Sequence, residues 1–170
     1  MPKAIKAYVR YVEKINRTIG RLTMYLVFVI MGVLLFASIS RYIFNVPFLW
    51  IVEMAQFLMA GYYILGGGYS MQLDAHVRMD VLYDRWTPKR RAFVDSFTAF
   101  CLVFYLIFLF YGGISSTIYA LEYGQRNYSA WAPYMAPIKI VMVIGIFLML
   151  LQAIAIFFKD LAKARGETIP

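Results

Sequence analysis

Long apolar runs separated by short polar connections dominate this chain, at residues 22–44, 49–72, 93–121 and 137–159. Crossing a hydrocarbon core takes roughly 20 helical residues at about 1.5 Å each, so each run is long enough to cross once. The third is the longest and must tilt, bend or project beyond the bilayer. Gly, Ser and Tyr are scattered through the runs with little period-two alternation, which favours helices over barrel strands. The pattern predicts an all-α membrane protein with four transmembrane helices in a single domain over residues 1–170. No internal repeat or low-complexity tract divides it.

Two further stretches carry apolar residues on one face only. In residues 3–21, Ile5, Tyr8, Val9, Val12, Ile15 and Ile19 follow helical spacing, while Lys3, Lys6, Arg10, Lys14, Arg17 and Arg21 occupy the opposite face. This predicts an amphipathic interfacial helix held partly by anionic lipids. Met79, Leu82, Tyr83 and Trp86 predict a second, shorter interfacial helix in the middle loop. Thr87 then caps the third span, with Pro88 at its first position, where a missing amide hydrogen costs nothing.

Composition sharpens this reading. Hydrophobic residues make up 62% of the 170 positions and aromatics 18%, outside the range of a soluble fold. The formal net charge of +8 is dispersed among the connections rather than gathered on a basic face, which argues against nucleic-acid binding. Basic residues cluster in the N-terminal segment, in the middle loop (Arg78, Arg85, Lys89, Arg90, Arg91) and in the tail (Lys159, Lys163, Arg165). The other two connections hold only Arg126. The positive-inside rule therefore places both termini and the middle loop in the cytoplasm. Trp50, Trp86 and Trp131 fall near the predicted boundaries as interface anchors. The N-terminus resembles a signal peptide, but its apolar run is too long and lacks a small-x-small cleavage site, so it is expected to stay as an anchor.

Ionisable groups inside a span need a partner or a task. Arg41 and Glu53 lie six residues on either side of Pro47, in the tight connection between the first two spans. A hairpin would place both roughly 9 Å below the turn, so a structural ion pair is expected. The alternatives for Glu53 are contact with a partner or lipid, and proton carriage. Gln56, on the same helical face, is expected to bond a neighbouring helix. Glu122 and Lys139 form a possible second pair, with Lys139 alternatively snorkelling to the interface. Gly66, Gly67 and Gly68 lack the Lys-Ser/Thr and the strand context of a phosphate loop and suit close helix packing instead.

The single histidine, His76, stands between Asp74 and Asp80, without the paired histidines of a zinc helix or the oxygen ligands of a calcium loop. One histidine cannot supply bis-histidine haem ligation, Cys101 has no partner for a disulfide, and no nucleophile-base-acid set is present. Neither a metal nor an enzymatic activity is expected. His76 is expected to bond a nearby carboxylate or carbonyl where the second helix leaves the bilayer, or to contact another subunit.

The order of these residues resembles a known family. Arg41-Tyr42 ending the first span, Trp50 with Glu53 entering the second, a glycine-rich second span, and His76-Val77-Arg78-Met79-Asp80 after it are similar to the DctQ family. Its members are the small membrane subunits of tripartite ATP-independent periplasmic (TRAP) transporters. The resemblance extends over the four-span plan, with one departure: many relatives carry a second carboxylate beside the glutamate, whereas this chain has Val52-Glu53-Met54. It implies a bacterial inner-membrane location and a large sodium-coupled elevator subunit as partner. It also implies a periplasmic protein that delivers an organic acid, of the sialic acid or C4-dicarboxylate class. The small subunit would enlarge the scaffold and help to dock the delivery protein through Asn45, Phe48, Arg126 and Tyr128, with no cofactor of its own and with bound phospholipid plausible. The chain also has no unwound half-helix pair, inverted repeat or midplane polar cluster of the kind that marks a substrate site. A rival reading is a small proton-coupled multidrug-type exporter using Glu53, although those chains are shorter and carry the carboxylate deep in the first span.

Overall fold

The computed structural model describes residues 3–43, 45, 48–73 and 88–164. They form four helices: α1 (Lys3–Ile43), α2 (Leu49–Gln72), α3 (Pro88–Glu122) and α4 (Ala136–Ala164). Pro88 occupies the first position of α3, where a helix has no use for the missing amide hydrogen. Asp74, His76, Arg78, Asp80 and the expected short helix over 79–86 lie outside the described residues.

By length and composition three of the helices, α1, α3 and α4, suffice to cross a membrane. Helix α2, at 24 residues, also has the length that one crossing takes. The exposed surfaces of α1 and α3 are themselves apolar, as at Phe28, Leu35, Phe100, Phe104 and Phe108. Such faces suit a lipid solvent or a covering subunit.

One expectation changes. The sequence divides residues 3–44 into an interfacial helix and a span, but α1 runs 41 residues without a break, about 60 Å. No proline interrupts it, and its buried positions continue across the expected boundary: Val9, Val12, Asn16, Gly20, Thr23 and Ile30. These are three to four residues apart or one heptad apart, the seam spacing of packed helices. The amphipathic first half therefore turns its apolar side to α4, where Val9 and Val12 close on Ala155 with Tyr8, Leu151 and Phe158 around them. Lys6, Arg10, Lys14, Arg17 and Arg21 are left exposed.

Helix α4 touches all three other helices, α2 lies between α1 and α4, and α3 packs chiefly on α4. Glycines set the closest approaches. A Cβ added at Gly145 would lie 2.3 Å from Ile64 Cγ2, and one at Gly67 2.8 Å from Met149 Sδ. With Gly61 against Val141, these contacts run in the same chain direction, so α2 and α4 are parallel. A Cβ at Gly20 would meet Tyr69 at 2.4 Å, which seats α1 on α2. Met71, Leu106 and Ala153 form a second buried cluster where α2, α3 and α4 meet.

Candidate functional site

The two connections at one end of the bundle, 45–48 and 123–135, hold the residues expected to dock a partner. The second is folded rather than loose. Gly124 adopts φ +54° just past the end of α3, the left-handed conformation that glycine supplies at a helix C-terminus. Beyond it, Asn127 N donates to Pro133 O at 3.0 Å and Met135 N to Gln125 O at 2.9 Å. These bonds pair Arg126 with Tyr134 in an isolated antiparallel bridge. At the tip, Ala132 N donates to Ser129 O and Oγ.

Side chains lock the same ladder. Arg126 Nη2 donates to the Tyr134 hydroxyl at 2.5 Å, and the guanidinium lies 4.3 Å from the centroid of that ring, a cation–π geometry. Lys139 ties the loop to the bundle by donating to Gln125 Oε1 at 2.7 Å and to Ser116 O at 3.2 Å. Tyr128, by contrast, is fully exposed, and Trp131 and Tyr134 are partly so. The result is a braced platform with aromatic side chains at its surface, the residue type most enriched at protein interfaces.

The expected pair of Glu122 with Lys139 is not formed, because Gln125 and the Ser116 carbonyl take the ammonium group while Glu122 remains exposed. Arg126 is held in place by Tyr134, a neutral partner, and stays exposed.

In the shorter connection Asn45 is exposed, with φ +52°. Phe48 precedes α2 and stacks on Phe36 of α1, with ring centroids 6.3 Å apart and planes 12° apart. Arg41 and Glu53 do not pair. Ser40 takes the buried seam position of α1 and turns its neighbour Arg41 outward to an exposed flank, while Ile51 and Ala55 take the buried positions of α2. Glu53 is half-buried, and its Oε2 is sealed from solvent with no hydrogen-bond partner. Gln56 is exposed, and no described residue bonds it into the bundle. Gly66, Gly67 and Gly68 face Thr23, Met149 and Asn16 respectively.

The sequence reading missed the polar contacts that knit the opposite end. Asn16 Nδ2 donates to Gln152 Oε1 at 2.8 Å with both residues buried. Further out, about one turn along α1 and two along α4, Lys159 forms a salt bridge with Glu13. The available signal was a lone carboxamide on the apolar face of each helix, at positions where nothing else could satisfy it.

Residues 30–163 match the family described as tripartite ATP-independent periplasmic transporters, DctQ component. The chain is also 31% identical over 101 residues to the sialic acid TRAP transporter permease protein SiaT of Haemophilus influenzae (strain 86-028NP). That alignment takes in 59% of this chain but only 16% of the relative, so the shared region is a small part of a much longer polypeptide.

Proposed function

Because this chain belongs to the DctQ component family of tripartite ATP-independent periplasmic transporters, and is thus a transporter subunit rather than an enzyme, we propose that it scaffolds a large permease subunit for organic-acid uptake. In this reading the large subunit carries substrate and sodium, a periplasmic binding protein delivers the acid, and this chain enlarges the stationary part of the membrane assembly. The observation that carries it is the long relative, in which a region similar to this chain is continuous with several times its own length of permease. The name of that relative makes a sialic acid the first cargo to test, with C4-dicarboxylates next.

The close glycine contacts between α1, α2 and α4 support a scaffold, since packed interfaces of this kind resist continuous deformation. In the proposed topology all four helices cross the bacterial inner membrane as one domain. The exposed basic half of α1 then lies at the cytoplasmic headgroups, drawn there by anionic lipid, and the tail ends on the same side. The connections 45–48 and 123–135 face the periplasm, where Asn45, Phe48, Tyr128 and the braced Arg126–Tyr134 ladder receive the binding protein.

Reconstitution tests this reading. Proteoliposomes holding this chain with its large subunit, supplied with a sodium gradient and the loaded binding protein, are expected to take up the acid. Vesicles holding this chain alone are expected to take up none. Uptake by the chain alone would overturn the assignment and restore a self-sufficient carrier.

A further inference from the structure

Helix α2 is packed on two flanks and bare on a third. Tyr69 meets Gly20 of α1, with the buried Ile51 and Ala55 on the same helical face, and Gly61, Ile64 and Gly67 turn toward α4. Between these flanks Val52, Gln56, Met59 and Tyr63 follow one another at intervals of four, three and four residues, and all are exposed. Three of them would be unremarked in lipid. Gln56 is different: it lies seven residues inside α2, about 10 Å along the helix. Its carboxamide has two donor hydrogens and an acceptor oxygen, and hydrocarbon satisfies none of them.

At the opposite end of the bundle the carboxamide of Gln152 is buried and bonded to that of Asn16. One turn above Gln56, Glu53 keeps an acceptor oxygen sealed without a partner. The sealed oxygen of Glu53 lies out of a partner's reach, so the polar group that this part of α2 presents outward is the Gln56 carboxamide, which no described residue bonds. Lipid tails cannot complete it, whereas a helix bearing a hydrogen-bonding side chain at that depth can.

We propose that the α2 stripe of Val52, Gln56, Met59 and Tyr63 is the face that docks on the large permease subunit, with a polar side chain of that subunit bonding Gln56. This rests on the subunit reading above and names the surface it uses. The occupant follows from the long relative, in which the region similar to this chain is held beside the rest of the permease by the chain itself. Tyr63 and Met59 supply an aromatic and a deformable apolar contact around the polar centre, suited to the core of an interface.

The test uses the full complex in native membranes. A photo-crosslinking residue at Met59 is expected to capture the large subunit, while one at Phe108, on the exposed side of α3, is expected not to. Gln56→Leu, at an exposed position, is expected to leave the melting temperature of the isolated chain unchanged. It is also expected to lower the amount of large subunit recovered with the chain by roughly threefold to thirtyfold. Capture from Phe108 alone, a Met59 adduct between two copies of this chain, or undiminished recovery with Gln56→Leu each overturns the proposed face. A wild-type chain that never recovers the large subunit overturns the subunit reading, and the face with it.

Discussion

Asn16 and Gln152 stand 136 positions apart in the chain, yet a 2.8 Å hydrogen bond joins their side chains at the contact of α1 with α4. Both are almost fully buried, at 2% and 1% exposure. Gly68 makes room for the pair, since a Cβ there would lie 2.9 Å from Asn16 Oδ1.

Truncating either partner strands the other. Asn16→Ala and Gln152→Ala are each expected to cost about 1–3 kcal/mol, toward the lower end because interhelical bonds in membranes average less. The double variant is expected to lose less than the sum. Thermal melting of the purified chain in detergent measures all three, and strictly additive losses would remove the bond from the list of stabilising contacts.

Glycine substitutions should divide by position. Gly145→Ala places a methyl 3.1 Å from the Ile64 backbone as well as against its side chain, so neither helix can yield locally. A loss of about 1–3 kcal/mol is expected from overpacking. Gly112 has nothing within 4 Å of an added Cβ, and Gly112→Ala is expected to be neutral or to stabilise by up to about 1 kcal/mol. Equal melting temperatures for the two variants would contradict the packing described for α2 and α4.

At the platform, fold and docking are separable. Tyr128→Ala removes a fully exposed side chain and is expected to leave melting unchanged. It should weaken capture of the binding protein by about tenfold or more, as truncating an aromatic anchor does. Arg126→Ala removes both its bond to Tyr134 and its ring contact, so melting and capture should both fall. Binding-protein titrations against the reconstituted complex, paired with melting curves, distinguish the two variants. Full capture by Tyr128→Ala would move docking elsewhere.

The Glu13–Lys159 bridge should contribute little by itself. Its side chains are 19% and 27% exposed respectively, and pairs open to water are worth about 0.2–1 kcal/mol. Glu13→Gln is expected to lower melting only slightly, with the difference shrinking as salt is raised. A large, salt-independent loss would show the pair to be far drier than its exposure indicates.

Much of this architecture was legible in the apolar runs. The bounds of α2 match the expected 49–72, and α4 differs only at its ends. The unbroken course of α1 was harder to read, because an amphipathic stretch has the same pattern whether its apolar face meets lipid or another helix. The failed pairs have a common physical cause. Arg41 with Glu53, and Glu122 with Lys139, were joined by depth alone. Depth leaves rotation about the helix axis open, and Ser40 and Gln125 decide it against both pairs. Asn16 with Gln152 reverses the case, since only tertiary contact brings residues so distant in sequence to one seam.

The length of α1 has a mechanical consequence. A hydrocarbon core is about 30 Å thick, and this helix is about twice that, with no proline to act as a hinge. In the topology proposed above, a tilt imposed near Tyr42 on one side of the bilayer would be carried along the helix to Lys6 on the other. On that reading α1 is a lever that joins the surface where a delivery protein would arrive to the opposite face of the membrane.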